Sequence, residues 1–146
     1  MHDLPRQLTI DELAELFEGR TRFVERLSSR ENPLEAALEV VGELSPQEKR
    51  EVLDAHPAIG QRGRLSARSA TEQGSDDDPA VLDELARLNA AYESRHGFRF
   101  VVFVNGRPKA QILEVLKGRI DHPTEEELET ALGELVAIAR DRWRRR

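Results

Sequence analysis

The sequence predicts an all-α fold, a compact single-domain multi-helix bundle over residues 1–146 with one short extended segment near 98–104. Three observations predict it. Apolar residues recur at three- and four-residue spacing along most of the chain, the period of a helix buried on one face. Most of these runs are preceded by a start signal, either Ser or Thr with Glu three residues on, or Asn, Asp or Ser directly before Pro. Only one stretch, Phe98 to Val104 (FRFVVFV), has the aromatic and β-branched density of a strand.

Thr9 with Glu12 is a capping box, and Leu13, Leu16 and Phe17 follow on one face. Phe23, Val24 and Leu27 mark a short second helix. Asn32-Pro33 places a cap before a proline in the first turn, ahead of Leu34, Ala37, Leu38 and Val41. Ser45 to Glu48 repeats the capping box, and Val52 and Leu53 form the inward side of that helix. His56, four residues after Val52 and three after Leu53, falls on the same side. Pro57 disfavours helical geometry at the residue before it, so the helix stops at His56. Gly60 to Arg64 reads as loop, and Gly74 to Pro79 as a solvated acidic connection without the ligand alternation of a calcium loop. Asp78-Pro79 opens a helix striped by Val81, Leu85, Leu88 and Tyr92, which Gly97 ends.

After Val104 comes Asn105-Gly106, a hairpin turn signal, but no second strand follows. Ile112, Leu113 and Leu116 return to helical spacing within 108–119. A lone extended segment has no ladder partner for its backbone groups, which must bond to side chains, water or a ligand. Thr124 with Glu127 promises a last capping box, before Leu128, Ala131, Leu135 and Ile138. At about 100° per residue, Arg142 lies within roughly 40° of each of those four positions, while Arg140 and Arg144 point away.

Composition narrows the function classes. A chain of 146 residues fits one domain. There is no cysteine, hence no disulfide, thiol nucleophile or thiolate metal site, which suits a reducing, cytoplasmic setting. The first residues, MHDLPRQ, lack the apolar core of a secretory signal, and no run approaches the ~20 apolar residues of a membrane span. A net charge of −6 argues against a nucleic-acid binder but permits a local basic pocket for a small anion. His2, His96 and His122 have no metal-ligand spacing and read as surface or cap residues, so no metal is expected.

Two places carry chemistry. The first is His56 to Gln73 (HPAIGQRGRLSARSATEQ), where an imidazole at a helix end precedes a basic loop and then Ser69-x-x-Glu72-Gln73. Histidine titrates near neutral pH, and beside a carboxylate it can move protons. The plainer reading keeps His56 as a helix-terminal cation and Ser69 to Glu72 as a capping box. The second is Arg142, a guanidinium on an apolar face. An unpaired charge there is costly, so it needs either an acidic partner or an anionic ligand, unless the helix end is frayed.

Taken in order, five motifs form a series. They are His56-Pro57-Ala58-Ile59-Gly60; Ser69-x-x-Glu72-Gln73; Leu88-Asn89-x-x-Tyr92; Gly97-Phe98-x-Phe100-Val101-Val102; and Ile138-Ala139-x-x-Arg142. From about Leu44 to Trp143 this series resembles the OHCU decarboxylase family of urate breakdown. The resemblance implies an all-helical, cofactor-free, homodimeric enzyme that converts a small anionic imidazoline, 2-oxo-4-hydroxy-4-carboxy-5-ureidoimidazoline, to (S)-allantoin and CO2. It implies an acid/base pair of His56 and Glu72. Pro57, Ser69, Glu72 and Gln73 would line the substrate. Phe100, Val101, Val102, Phe103 and Val104 would offer it backbone groups, and Arg142 would hold the anion. These are the residues that stand out on physical grounds, which favours the functional reading of both places.

The sequence departs from the family pattern at Ala58, His96 and Arg99 and in a short 58–68 loop, which bears on substrate fit more than on chemistry. Two rival readings remain at this level: a helical binding or scaffold protein without catalysis, and a cofactor-free lyase or hydrolase acting on a related imidazolinone.

Overall fold

The structure, a computed structural model, describes residues 4–57 and 78–145. Among these residues there are seven helices and no strand: α1 (Ile10–Phe17), α2 (Arg22–Ser28), α3 (Pro33–Glu43), α4 (Pro46–Asp54), α5 (Pro79–His96), α6 (Lys109–Arg119) and α7 (Thr124–Arg144). The all-α expectation is borne out.

The start signals act as the sequence implies. Thr9 and Ser45 each accept from the backbone N–H of Glu12 and Glu48, whose carboxylates reach back to the cap N–H groups at 2.9 Å. Asp78 accepts from Ala80 N–H at 3.0 Å, and Gly97, at φ 79°, ends α5 in the left-handed conformation that glycine adopts without strain. Asn32 stands before Pro33 as expected, but its side chain makes no cap bond.

One start signal fails. Thr124 is the first residue of α7 rather than its cap, and Thr124 and Glu127 form no capping box. Both side chains are engaged elsewhere. The Thr124 hydroxyl bonds His96 Nδ1 at 2.7 Å, and Glu127, fully buried, accepts from the Tyr92 hydroxyl at 2.6 Å and from Arg119 Nε at 2.9 Å. A buried carboxylate with a guanidinium in reach is held more firmly there than at a solvated helix end. His96 also corrects the surface expectation. It is 2% exposed, stacks on Phe98, and its Nε2 lies 3.0 Å from the Ile120 carbonyl oxygen. His122 is exposed, as expected, with Nδ1 3.0 Å from Glu127 Oε2.

The longest helix, α7, packs against α1, α3, α4 and α5. Its Ala131, Leu132, Leu135, Val136 and Ala139 are buried in one core with Phe17, Phe23, Leu27, Leu34, Leu53, Leu85, Tyr92 and Ile112. Arg140, which the helical period turned away from that core, is half-buried and donates to the Leu34 carbonyl at 2.9 Å. Residues 98–104 run extended from α5 towards α6, with Phe98, Phe100, Val101, Val102 and Val104 all buried. The Asn105-Gly106 turn, with both φ angles positive, closes behind them through an Arg107 N–H bond to the Val104 carbonyl.

Several backbone groups of that segment bond to side chains. Arg119 Nη1 donates to the Val101 carbonyl at 2.9 Å, Phe103 N–H to Glu134 Oε1 at 3.3 Å, and Arg107 Nη2 to the Phe103 carbonyl at 2.5 Å. Among the described residues, neither Phe100 nor Val102 has a main-chain hydrogen-bond partner. The connector reading of this segment therefore holds for the Val101 and Val104 carbonyls and for both main-chain groups of Phe103, and, among the described residues, groups on Phe100 and Val102 remain for another partner.

Candidate active site

His56 sits two residues past the end of α4, where its N–H still bonds the Leu53 carbonyl at 3.1 Å and half-buried Pro57 diverts the chain. His56 is 4% exposed, and among the described residues its ring Nε2 has no hydrogen-bond partner. A buried ring nitrogen without a partner is costly and uncommon, and it directs attention to what it faces. Burial, then the positive charges of Arg142 and Arg99, hold the imidazole down to about 3 against an ordinary 6.5, while Glu18 pulls the other way. The ring is therefore neutral at neutral pH, not the helix-terminal cation of the plainer reading.

Arg142 arrives from the far end of the chain. It is 2% exposed; Nη1 donates to the Leu16 carbonyl at 3.0 Å, and Nη2 pairs with Glu18 Oε1 at 3.0 Å. The guanidinium on the apolar face thus has an acidic partner, and it lies close enough to His56 to act on the ring. The helix continues past Arg142 to Arg144 with that side chain buried and bonded, unlike the frayed alternative.

Glu18 was not singled out by the sequence. It follows the last turn of α1 in the left-handed region, φ 66°, with its N–H and that of Gly19 both on the Ala14 carbonyl. An L-residue other than glycine gives up about 1–2 kcal/mol in that conformation. The only local signal is Glu-Gly after an apolar run, where glycine would ordinarily take the left-handed place.

Arg99 is the second addition. Its backbone N–H bonds Asp54 Oδ1 at 3.1 Å, Nε bonds Glu93 Oε1 at 3.1 Å, and Nη1 donates to the carbonyls of Asp54 and His56. It ties the end of α4 to the start of the extended segment, so His56 and Phe100 belong to one braced unit. Behind that segment, Arg119 lies over the Phe100 ring at 4.6 Å. Burial alone would raise the Glu127 carboxyl, but the Tyr92 hydroxyl, Arg119 and His122 together hold it below the ordinary carboxylate range. Burial, and then Glu127 as acceptor, push the Tyr92 phenol up.

The structure thus brings His56 and Arg142 near one another, and Arg99 ties His56 to the start of the segment that runs through Phe100, Val101, Val102, Phe103 and Val104. Ser69, Glu72, Gln73 and the loop before them lie outside the described residues. Among the described residues, no group of three or more His, Asp or Glu side chains is placed to hold a metal ion, and no helix is long and apolar enough to cross a membrane.

The family model for OHCU decarboxylase matches residues 2–144. The chain belongs to the OHCU decarboxylase family. The match extends the resemblance, carried by motifs from about Leu44 onwards, to nearly the whole chain. Like the family, the protein is a decarboxylase, a carboxy-lyase. It is 32% identical over 124 residues to the 2-oxo-4-hydroxy-4-carboxy-5-ureidoimidazoline decarboxylase of Halalkalicoccus jeotgali, covering 82% of this chain and 70% of that one. It is 31% identical over 144 residues to the enzyme of the same name from Haloferax volcanii, covering 89% and 83%. Among solved structures it is similar to an OHCU decarboxylase crystallised in the presence of (S)-allantoin, with a TM-score of 0.75, 25% identity, and 90% and 94% of the two chains covered.

Proposed function

We propose that this chain decarboxylates 2-oxo-4-hydroxy-4-carboxy-5-ureidoimidazoline to (S)-allantoin in urate breakdown, with His56 and Glu72 as the acid/base pair and Arg142 holding the anionic substrate. The observation that carries the reading is His56 itself: a buried, neutral imidazole with an unpartnered Nε2, lying within the field of a buried guanidinium. Relatives named for this reaction and a similar structure obtained with its product support the choice of substrate.

The chemistry follows from the substrate's groups. Its ring carbon carries both a hydroxyl and the carboxylate, and the neighbouring carbon carries the ureido group. When the carbon–carboxylate bond breaks, CO2 leaves and the electron pair passes into the ring, giving an enol-like species. A ring nitrogen takes a proton from solvent. The hydroxyl then gives up its proton to become a carbonyl, and the ureido-bearing carbon gains one. Because the His56 ring is neutral, it first accepts the hydroxyl proton at Nε2 and then delivers a proton to the ureido-bearing carbon from one side, giving a single enantiomer. Glu72 orients the imidazole or the hydroxyl. Free main-chain groups of Phe100 and Val102 meet the developing charge and the ureido edge, in the manner of an oxyanion hole. Pro57, Ser69 and Gln73 complete the lining. Residues 1–146 form one domain, the active enzyme is a cytoplasmic homodimer, and it works without cofactor or metal.

The test generates the intermediate from urate, adds protein, and follows both its ultraviolet signal and the handedness of the allantoin. Faster loss with (S)-product is expected. A folded protein that leaves the spontaneous rate and racemic product unchanged would return the chain to a non-catalytic binding role.

A further inference from the structure

We propose that Glu18 is a positioning residue for substrate binding, holding the Arg142 guanidinium in the orientation that meets the substrate anion. The inference deepens the function proposed above and rests on it. Three features of Glu18 converge. Its side chain, 13% exposed, reaches Arg142 Nη2 at 3.0 Å. Its backbone occupies a left-handed turn that a glycine would fill without strain, as Gly97 does at the end of α5. Such strain persists where the surroundings hold it, and it gathers at functional sites. The same turn brings up the Leu16 carbonyl, which takes Nη1 at 3.0 Å.

The end of α1 therefore grips both terminal nitrogens of Arg142. Two contacts on the two prongs of a planar fork leave the guanidinium little freedom to rotate, because the group is rigid once its terminal nitrogens are fixed. Glu18 touches the substrate-binding group and not the reacting atoms, so its contribution belongs to binding.

The experiment compares Glu18→Gly, Glu18→Gln and the parent in the decarboxylation assay, with titration by (S)-allantoin alongside. E18G removes the carboxylate but suits the left-handed turn, so a purely structural loss at the turn is not expected. E18Q keeps an oxygen that can accept from Nη2. E18G should raise KM and the allantoin Kd about 10- to 100-fold, the order for a lost hydrogen bond to a charged group, with kcat changed less. E18Q should recover most of that loss. Should E18G not fold, Glu18→Asp, with the charge kept but the reach shortened, should raise KM in the same direction. KM and Kd within twofold of the parent in E18G, or in E18D where E18G does not fold, would overturn the proposal, as would an effect confined to kcat. If the parent itself does not turn over, the decarboxylation reading falls and takes this inference with it. An active parent with indifferent Glu18 variants removes this inference alone.

Discussion

Replacing Glu127 by alanine should destabilise the protein severely although the residue lies behind the site. Glu127 is fully buried and receives three groups: the Tyr92 hydroxyl at 2.6 Å, Arg119 Nε at 2.9 Å and His122 Nδ1 at 3.0 Å. The His122 side chain is 55% exposed and can turn to water, so its bond contributes little. Arg119 cannot, because it is 7% exposed and wedged between Phe100 and the core. Glu127→Ala strands that charge, and removing one partner of a buried pair costs about 3–5 kcal/mol. Against a total of about 5–15 kcal/mol for a domain, that is a large fraction, with a fall in Tm on the order of 10 °C. Glu127→Gln keeps an acceptor but not the charge and should lose about 1–3 kcal/mol. Urea unfolding followed by circular dichroism measures both. Because Arg119 also holds the Val101 carbonyl, allantoin affinity should weaken in parallel. A loss below about 0.5 kcal/mol in Glu127→Ala would refute the idea that this carboxylate is what makes the buried guanidinium tolerable.

Acid should expose His56. Its folded-state value of about 3 lies below the ordinary 6.5, so between those values the unfolded chain takes a proton that the folded chain refuses. The His56 contribution is complete above pH 6.5 and is lost as pH falls towards 3. By pH 4 the parent should have lost about 3 kcal/mol that His56→Gln does not lose, and equal pH slopes in the two proteins would contradict a neutral buried ring. Arg142→Lys should weaken allantoin binding about tenfold or more, since a lysine cannot keep Leu16, Glu18 and the ligand together; unchanged affinity in a calorimetric titration removes the anion role. Gly97→Ala should cost about 1 kcal/mol in chemical unfolding, from φ 79° alone, because a Cβ there meets no atom within 4 Å.

Much of the fold was legible because helix signals are local. Thr9 with Glu12, Ser45 with Glu48, and Asp78 with Pro79 each declare a helix within a few residues, and each does so in the structure. Thr124 with Glu127 carried the same local signal and misled, because Tyr92 and Arg119, distant in sequence, bid more strongly for that carboxylate. His96 was missed for a related reason: its partners Thr124 and Ile120 come from beyond the next helix. At the site, the helical period placed Arg142 on the buried face and His56 on the inward side of its helix, which Pro57 then stops. Glu18 and Arg99 were illegible. Each meets its partners only after α1 has been packed on α7, or the extended segment on the end of α4.

The most direct measurement is the enantiomeric excess and rate of allantoin formation from freshly generated intermediate, with the parent and with His56→Asn at equal concentration. The parent should yield (S)-allantoin well ahead of the uncatalysed reaction. The variant, folded by circular dichroism, should be slower by about 10²–10⁴ and give racemic product. A folded His56→Asn protein that makes (S)-allantoin at the parent's rate would contradict the role given to this imidazole.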